Sequence, residues 1–257
     1  MSENDILLQD DVDGVRVLTL HRPDKKNAFN PELAMALNTA LDAADSDDDV
    51  RCIVVTGTGS VFSAGADLGV FMAIGQGDLE SGRPVGEVFR HVQALRKPAI
   101  AAVQGQAVGM GVTILPYFDF VYAARSASFL TPFVSLGLVL EFGSSFTLPR
   151  LIGRQRTNEL ILKGKVVDAA TAAEWGLVNG TFDDDGFLDA VLGEARHLAS
   201  LPGEALAHCK RLIREGEESL HEAACRREDA VLSQCYGSPE NVAAIQAFMA
   251  SRAARKS

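Results

Sequence analysis

The chain has 257 residues, of which 47 % are hydrophobic and 23 % charged, and its formal charge is −10. That length can bury a sizeable core, and that balance excludes a disordered, solvated chain. The acidic excess excludes a general nucleic-acid binder, because neutralising phosphates takes a basic face and none is visible. Cys52, Cys209, Cys225 and Cys235 are scattered without CxxC spacing, so neither a zinc site nor a redox pair is indicated, and a reducing cytoplasm is the expected location. Met1 to Asp13 is acidic rather than basic and then apolar. No apolar run reaches the ~20 residues that cross a bilayer, so no membrane association is expected.

In chain order, Val15 to Leu20 and Arg51 to Thr56 read as strands, short, rich in β-branched residues and closed by turn formers. Between them Pro31 suits a first helical position, and Leu33, Leu37, Leu41 and Ala44 recur at helical spacing. Met72 to Val88 carries Gly75, Gly77, Gly82 and Gly86 and reads as an irregular stretch, a mobile lid or a surface loop. Ala99 to Val103 is a third strand, running through Gly105-Gln106-Ala107-Val108-Gly109-Met110-Gly111 into a helix that Pro116 should kink or end. Parallel strands need crossover connections, so the pattern implies a mostly parallel sheet with ligand chemistry at its carboxyl edge. The last third reads as helices over Thr157 to Lys163, Asp168 to Trp175, Phe187 to Ala199, Glu204 to Glu215, Leu220 to Gln234 and Pro239 to Ala250. The final helix places Val242, Ile245, Phe248 and Met249 on one face, which must cover its own domain or a neighbouring subunit.

The chain lacks GxxxxGK[ST], a strand-linked GxGxxG, GxSxG and HExxH, and its five histidines have no ligand-like spacing. Two segments carry the candidate chemistry. Val61-Phe62-Ser63-Ala64-Gly65-Ala66-Asp67-Leu68 surrounds Gly65 with small side chains, as a backbone approaching a ligand needs, although a strand-to-loop turn uses the same residues. Gly109-Met110-Gly111 has the same character with a helix behind it, whose dipole favours negative charge at its free N–H groups. If both face one cleft, they form an oxyanion hole.

Phe62 to Leu68 and Gly105 to Gly111, in this order, resemble the two signature segments of the crotonase (enoyl-CoA hydratase/isomerase) superfamily. His21-Arg22-Pro23 with Asn27-Ala28, and Ala169-Ala170 to Gly176-Leu177-Val178, extend the resemblance over nearly the whole chain. The resemblance implies an α/β fold, a spiral of ββα units, with an acyl-CoA-binding core over residues 1–200 and a helical trimerisation region over residues 201–257. It further implies a homotrimer or dimer of trimers, and acyl-CoA as the only partner. No cofactor or metal is implied, since coenzyme A is part of the substrate.

By position, the Ala66 and Met110 N–H groups would hold the thioester oxygen. Ala64, Gly65, Asp67, Leu68, Gly109 and Phe133 would line the substrate, with Asp67 bracing its own loop. Lys25 or its neighbour Lys26 would meet a coenzyme A phosphate. Hydratases of the superfamily place glutamates where this chain has Thr113 and Phe133, so water addition through two carboxylates is not expected. The run Pro132-Phe133 through Leu136-Gly137-Leu138 to Glu141 and Gly143 resembles the Δ3,Δ2-enoyl-CoA isomerase branch of fatty-acid metabolism, where the matching glutamate shuttles the proton. Leu140, Phe142 and Phe133 would raise the basicity of Glu141. An acid ahead of a helix would also stabilise its dipole by about 0.3–1 kcal/mol. The competing expectations are a dienoyl-CoA isomerase or hydratase of the same superfamily, and a non-catalytic acyl-CoA-binding module.

Overall fold

The computed structural model describes residues 6–254, so the cationic pair Arg255-Lys256 lies outside the described residues. Strands β1 (Leu7–Val12) and β2 (Val15–Leu20) form an antiparallel hairpin. Helix α1 (Pro31–Ser46) follows, capped by the Asn30 side chain, which accepts from the Leu33 N–H at 3.0 Å, with Pro31 in its first turn. Strand β3 (Cys52–Gly57) lies one residue later than expected and pairs parallel with β2. Next come β4 (Val61–Ser63), α2 (Leu68–Gly75), α3 (Arg83–Ala94), β5 (Ala99–Val103), β6 (Gln106–Val108) and α4 (Met110–Thr113). Pro116 sits in the 3-10 turn Leu115–Tyr117, where the helix has already ended. Then follow β7 (Phe120–Ala124), β8 (Ser128–Leu130), α5 (Ser144–Leu151), α6 (Arg154–Ile161), β9 (Val167–Asp168), α7 (Ala169–Trp175) and β10 (Gly180–Phe182). Four helices close the chain: α8 (Phe187–Ser200), α9 (Gly203–Glu215), α10 (Glu218–Cys235) and α11 (Pro239–Ala254).

The strands alternate between two sheets. One has the order β1-β2-β3-β5-β7-β10 and is parallel except for the first hairpin; the other runs β4-β6-β8-β9 and is parallel except for its last pair. β3, β5 and β7 each continue directly into a strand of the second sheet, β4, β6 and β8, before the next helices begin. Each turn of this spiral is a ββα unit, and its loops emerge on one side. Because side chains alternate along a strand, both faces of the larger sheet are apolar. Val15, Val17, Cys52, Val54, Ile100 and Ala102 pack under α8 through Phe187, Val191 and Ala195. Leu18, Leu20, Ile53, Val55 and Ala101 face the opposite core, with Leu33, Leu37 and Leu41 of α1 and Val88 and Val92 of α3.

Two sequence expectations change. Met72 to Val88 is not an irregular stretch: most of it belongs to α2, the 3-10 turn Glu80–Gly82 and α3. Val85, Val88, Phe89 and Val92 recur at helical spacing and are buried, and this periodicity outweighs the glycines. The last third is not wholly helical, since it holds β9 and β10, strands of two and three residues that are too short to show alternation. On α11, Ile245 is buried at 7 % exposure, whereas Val242 and Met249 remain exposed. Among the described residues no helix is long and apolar enough to cross a membrane.

Asp119 pins α9 to the sheet. Its carboxylate accepts from Lys210 Nζ at 2.6 Å, Arg214 Nη2 at 2.9 Å and the Ala99 N–H at 2.8 Å, and Lys210 also donates to the Lys97 carbonyl. Burial pushes the Lys210 ammonium down while Asp119 pulls it back up. Asp119→Ala strands that buried ammonium, which should cost about 3–5 kcal/mol and lower the urea midpoint. The double variant Asp119→Ala/Lys210→Met should recover much of the loss, and an unshifted midpoint in the single variant would show the pair to be dispensable.

Candidate active site

The loop after β4 uses nearly all of its own N–H groups. Ala64 donates to the Lys26 carbonyl at 2.9 Å, Gly65 to Ser63 Oγ at 3.1 Å, and Asp67 to the Phe29 carbonyl at 2.8 Å. The Ala66 N–H is left out, and among the described residues it has no acceptor. The Asp67 carboxylate caps α2 by accepting from Gly69 at 3.1 Å and pairs with Arg22 at 3.2 Å, so it holds the loop. Lys25 ends the 3-10 turn Pro23–Lys25 and is exposed, with Lys26 beside it.

The loop after β6 is built likewise. Gly109 donates to the Leu130 carbonyl at 2.8 Å, while Met110 opens α4, where a first-turn N–H has no intrahelical partner; none is found among the described residues. The helix behind Met110 is a single turn that ends ahead of Pro116, as expected from the sequence, and its dipole is correspondingly small. Gly65 brings the loops together. Its φ is +85°, and a Cβ there would lie 2.6 Å from the Val108 oxygen and 3.3 Å from the Met110 nitrogen. Only glycine fits, and the unpaired N–H groups of Ala66 and Met110 therefore come from touching segments.

The third element is the loop between β8 and α5. Phe142 and Gly143 both adopt left-handed backbone, with φ of 59° and 66°. A Cβ at Gly143 would sit 2.3 Å from His221 Nε2, which fixes glycine there. The Tyr117 hydroxyl donates to the Phe142 carbonyl and lies 2.6 Å from His221 Nε2. This reversal turns Glu141 inward, to 9 % exposure, and among the described residues its carboxylate has no hydrogen-bond or ion-pair partner. Burial first, and then the nearby carboxylates of Glu228 and Asp229, push its pKa up to about 8. The N-terminus of α5 is capped by Glu228 instead, whose oxygens accept from Gly143 and Ser145, each at 2.7 Å. Stabilising that helix is thus the work of Glu228, and Glu141 is free of it.

A cavity of about 170 Å³ brings Ala66 and Glu141 together, walled by Val70, Phe71, Val85, Phe89 and Phe142, by Cys225, Asp229 and Leu232 of α10, and by Tyr236 just after it. Lys25, Ala64, Gly65, Asp67, Leu68, Gly109, Met110 and Phe133 do not line it; of these, Gly65, next in the chain to Ala66, touches Met110. Thr113 and Phe133 are buried at 0 % and 5 % exposure, and Thr113 Oγ1 has no partner among the described residues. Among the described residues no three His, Cys, Asp or Glu side chains cluster to hold a metal. Sequence reading missed Glu228 and the cavity face of α10. Residues 225, 229, 232 and 236 have helical spacing, but their mixed polarity reads as a solvated face.

Residues 10–255 match the family model described as Enoyl-CoA hydratase/isomerase. The chain belongs to this family, within the crotonase superfamily. It is 35 % identical over 244 residues to 1,2-epoxyphenylacetyl-CoA isomerase of Escherichia coli (strain K12), covering 93 % of each chain. It is 36 % identical over 242 residues to Enoyl-CoA delta isomerase 2 of Homo sapiens, covering 92 % of this chain and 61 % of that protein. Among solved structures it is similar to an enoyl-CoA hydratase/isomerase from Pseudoalteromonas atlantica T6c, with a TM-score of 0.87, 33 % identity, and coverage of 96 % of this chain and 98 % of that one. These crotonase relatives carry names for different reactions, so membership leaves the choice of reaction to the side chains around the cavity.

The raised pKa of Glu141 has a stability consequence. Its ordinary value in the unfolded chain is 4.5 and its folded value about 8, so its contribution is fully present below 4.5 and is lost as the pH rises through 8. Urea titrations of wild type and Glu141→Gln should diverge from pH 4.5 to 8 by a few kcal/mol, roughly, in favour of the variant, and then level off. A difference that is flat with pH would mean that Glu141 titrates normally.

Proposed function

We propose that the protein is an acyl-CoA isomerase that shifts the double bond of a 3-enoyl-CoA to the 2-position through a thioester enolate. One observation carries this reading. Ala66, whose backbone N–H has no acceptor among the described residues, lines the same cavity as Glu141, a buried carboxylate whose pKa lies near neutrality. That is the pairing a proton transfer next to a carbonyl requires.

In this reading the thioester oxygen accepts hydrogen bonds from the Ala66 and Met110 N–H groups. The Glu141 carboxylate takes a C2 proton, and the electron pair of that C–H bond moves onto the thioester to give the dienolate. The protonated Glu141 then returns the proton to C4, and the double bond settles between C2 and C3. No water, metal or redox partner enters the balance. Hydration is disfavoured because a second carboxylate is needed to activate water, and Thr113 and Phe133 occupy the two hydratase positions. Lys25 or Lys26 is proposed to meet a coenzyme A phosphate, and a homotrimer or dimer of trimers is proposed as the assembly.

Glu141→Gln should lower kcat for a 3-enoyl-CoA by roughly 10²–10⁴-fold with little change in acyl-CoA binding; unreduced turnover would remove Glu141 from the mechanism. For the wild type, kcat/KM should rise with pH to an apparent pKa near 8, as the base ionises, and the rising limb should be missing in the variant. Conversion of crotonyl-CoA to 3-hydroxybutyryl-CoA, followed by absorbance, should be slow. Rapid hydration would point to the hydratase alternative.

A further inference from the structure

Helix α3 lays one stripe of residues along the cavity. Val85, Gly86, Phe89 and Arg90 all line it, and the spacing i, i+1, i+4 and i+5 puts them on one side of the helix. Gly86 lies inside that stripe, so the side chain it lacks would point to the cavity. A glycine within a helix costs about 0.5–1 kcal/mol relative to alanine, yet at Gly86 neither backbone nor packing requires one. Its φ lies outside the left-handed region, and a Cβ built on it meets no atom within 4 Å. Gly82, one turn earlier on the same wall, differs. A Cβ there would lie 2.5 Å from Ile74 Cδ1, so the space left by that missing side chain is filled from α2. The space at Gly86 is filled by no described residue.

Where this space leads decides what can occupy it. Glu141 and Phe142 form a closed end of the cavity, at 9 % and 8 % exposure. The lining residues that are exposed are Gly86 and Arg90 of α3 and Asp229 of α10. The cavity therefore opens to solvent along the cleft between these two helices, past Gly86. Inside the opening the walls are apolar, with Val85 and Phe89 of α3 and Leu232 of α10 all buried, and the charged side chains stand only at its exposed edge. An aliphatic chain suits that gradient, because its methylenes leave water against the apolar walls and its far end reaches solvent between Arg90 and Asp229. With the thioester at Ala66 and the reacting carbons at Glu141, the carbons that follow C4 are the ones that take this path.

We infer that Gly86 is the specificity-determining position for the acyl group: the chain beyond C4 crosses its bare backbone to the edge of the α3–α10 cleft, so that the protein prefers extended straight-chain acyl groups to short ones. The inference rests on the acyl-CoA reading of the cavity but not on the isomerisation. A side chain at position 86 would occupy this path and leave the Ala66 N–H and the Glu141 carboxylate where they are.

The test uses saturated acyl-CoAs, which have no double bond to move. Calorimetric titration of the full-length protein should show decanoyl-CoA binding roughly ten- to a hundred-fold tighter than butanoyl-CoA, the effect of burying about two or three of its additional methylenes. Gly86→Leu should erase most of that advantage by weakening decanoyl-CoA more than butanoyl-CoA, and Gly86→Ala, which adds one methyl group, should erase part of it. Both variants replace a helical glycine by a stronger helix former, so their urea midpoints should equal or exceed that of the wild type; if Gly86→Leu falls below it, Gly86→Ala carries the comparison. Equal affinity of the wild type for the two ligands overturns the inference, and so does a decanoyl-CoA advantage that survives undiminished in both variants. Equal weakening of both ligands by Gly86→Leu also overturns it, since the side chain would then obstruct the thioester end and not the tail. Failure of the wild type to bind either compound would overturn the acyl-CoA reading together with this one. The expected ratios in a protein that does not turn over a 3-enoyl-CoA would leave this inference standing and remove only the proposed reaction.

Discussion

The site depends on the buried carboxylate of Glu141, which has no partner among the described residues. Burying an ionised carboxylate is costly, and a chain that does so either pairs it or lets it keep its proton. Glu141 keeps its proton up to a pH near 8. The arrangement is stable because the polar duties around it are taken by others. Glu228 satisfies the N–H groups of Gly143 and Ser145, and the Tyr117 hydroxyl satisfies the Phe142 carbonyl. The strained turn at Phe142 and Gly143 is thereby over-determined by its surroundings, which is how unfavourable backbone persists at functional sites.

The same division of labour appears on the opposite wall. The loop around Ala66 is bound at Ala64, Gly65 and Asp67, and the loop around Met110 at Gly109, and the Ala66 and Met110 N–H groups have no acceptor among the described residues. A donor held rigid by its neighbours needs no reorganisation when charge develops in front of it, which is the source of its strength. The spiral of ββα units supplies this geometry. Each turn of the spiral delivers one loop to the same side, and Gly65 allows two of them to touch.

How much of this was legible in the sequence depends on range. β2, β3 and β5 show as short β-branched runs, and α1 shows through Leu33, Leu37, Leu41 and Ala44, because each reports its own burial locally. The glycine segments are legible because close backbone approach restricts side-chain size at consecutive positions. The second sheet is not legible, since three-residue strands have no period to read. α3 was hidden by Gly82 and Gly86 beside its apolar face. Glu228 could not be foreseen: its partner Gly143 lies 85 residues away, and nothing near Glu228 marks it as a cap. Tyr236 and Asp229 were masked for the same reason, as a cavity wall assembled from α2, α3 and α10 exists only once the chain has folded.

The central claim is that Glu141 removes a proton from the carbon next to a thioester. Exchange of the α-hydrogens of a bound saturated acyl-CoA with deuterated solvent, followed by mass spectrometry, measures that step without any later chemistry. Exchange in the wild type that speeds up as the pH approaches 8 and ceases in Glu141→Gln is the result the account predicts. Exchange that persists unchanged in Glu141→Gln would contradict it.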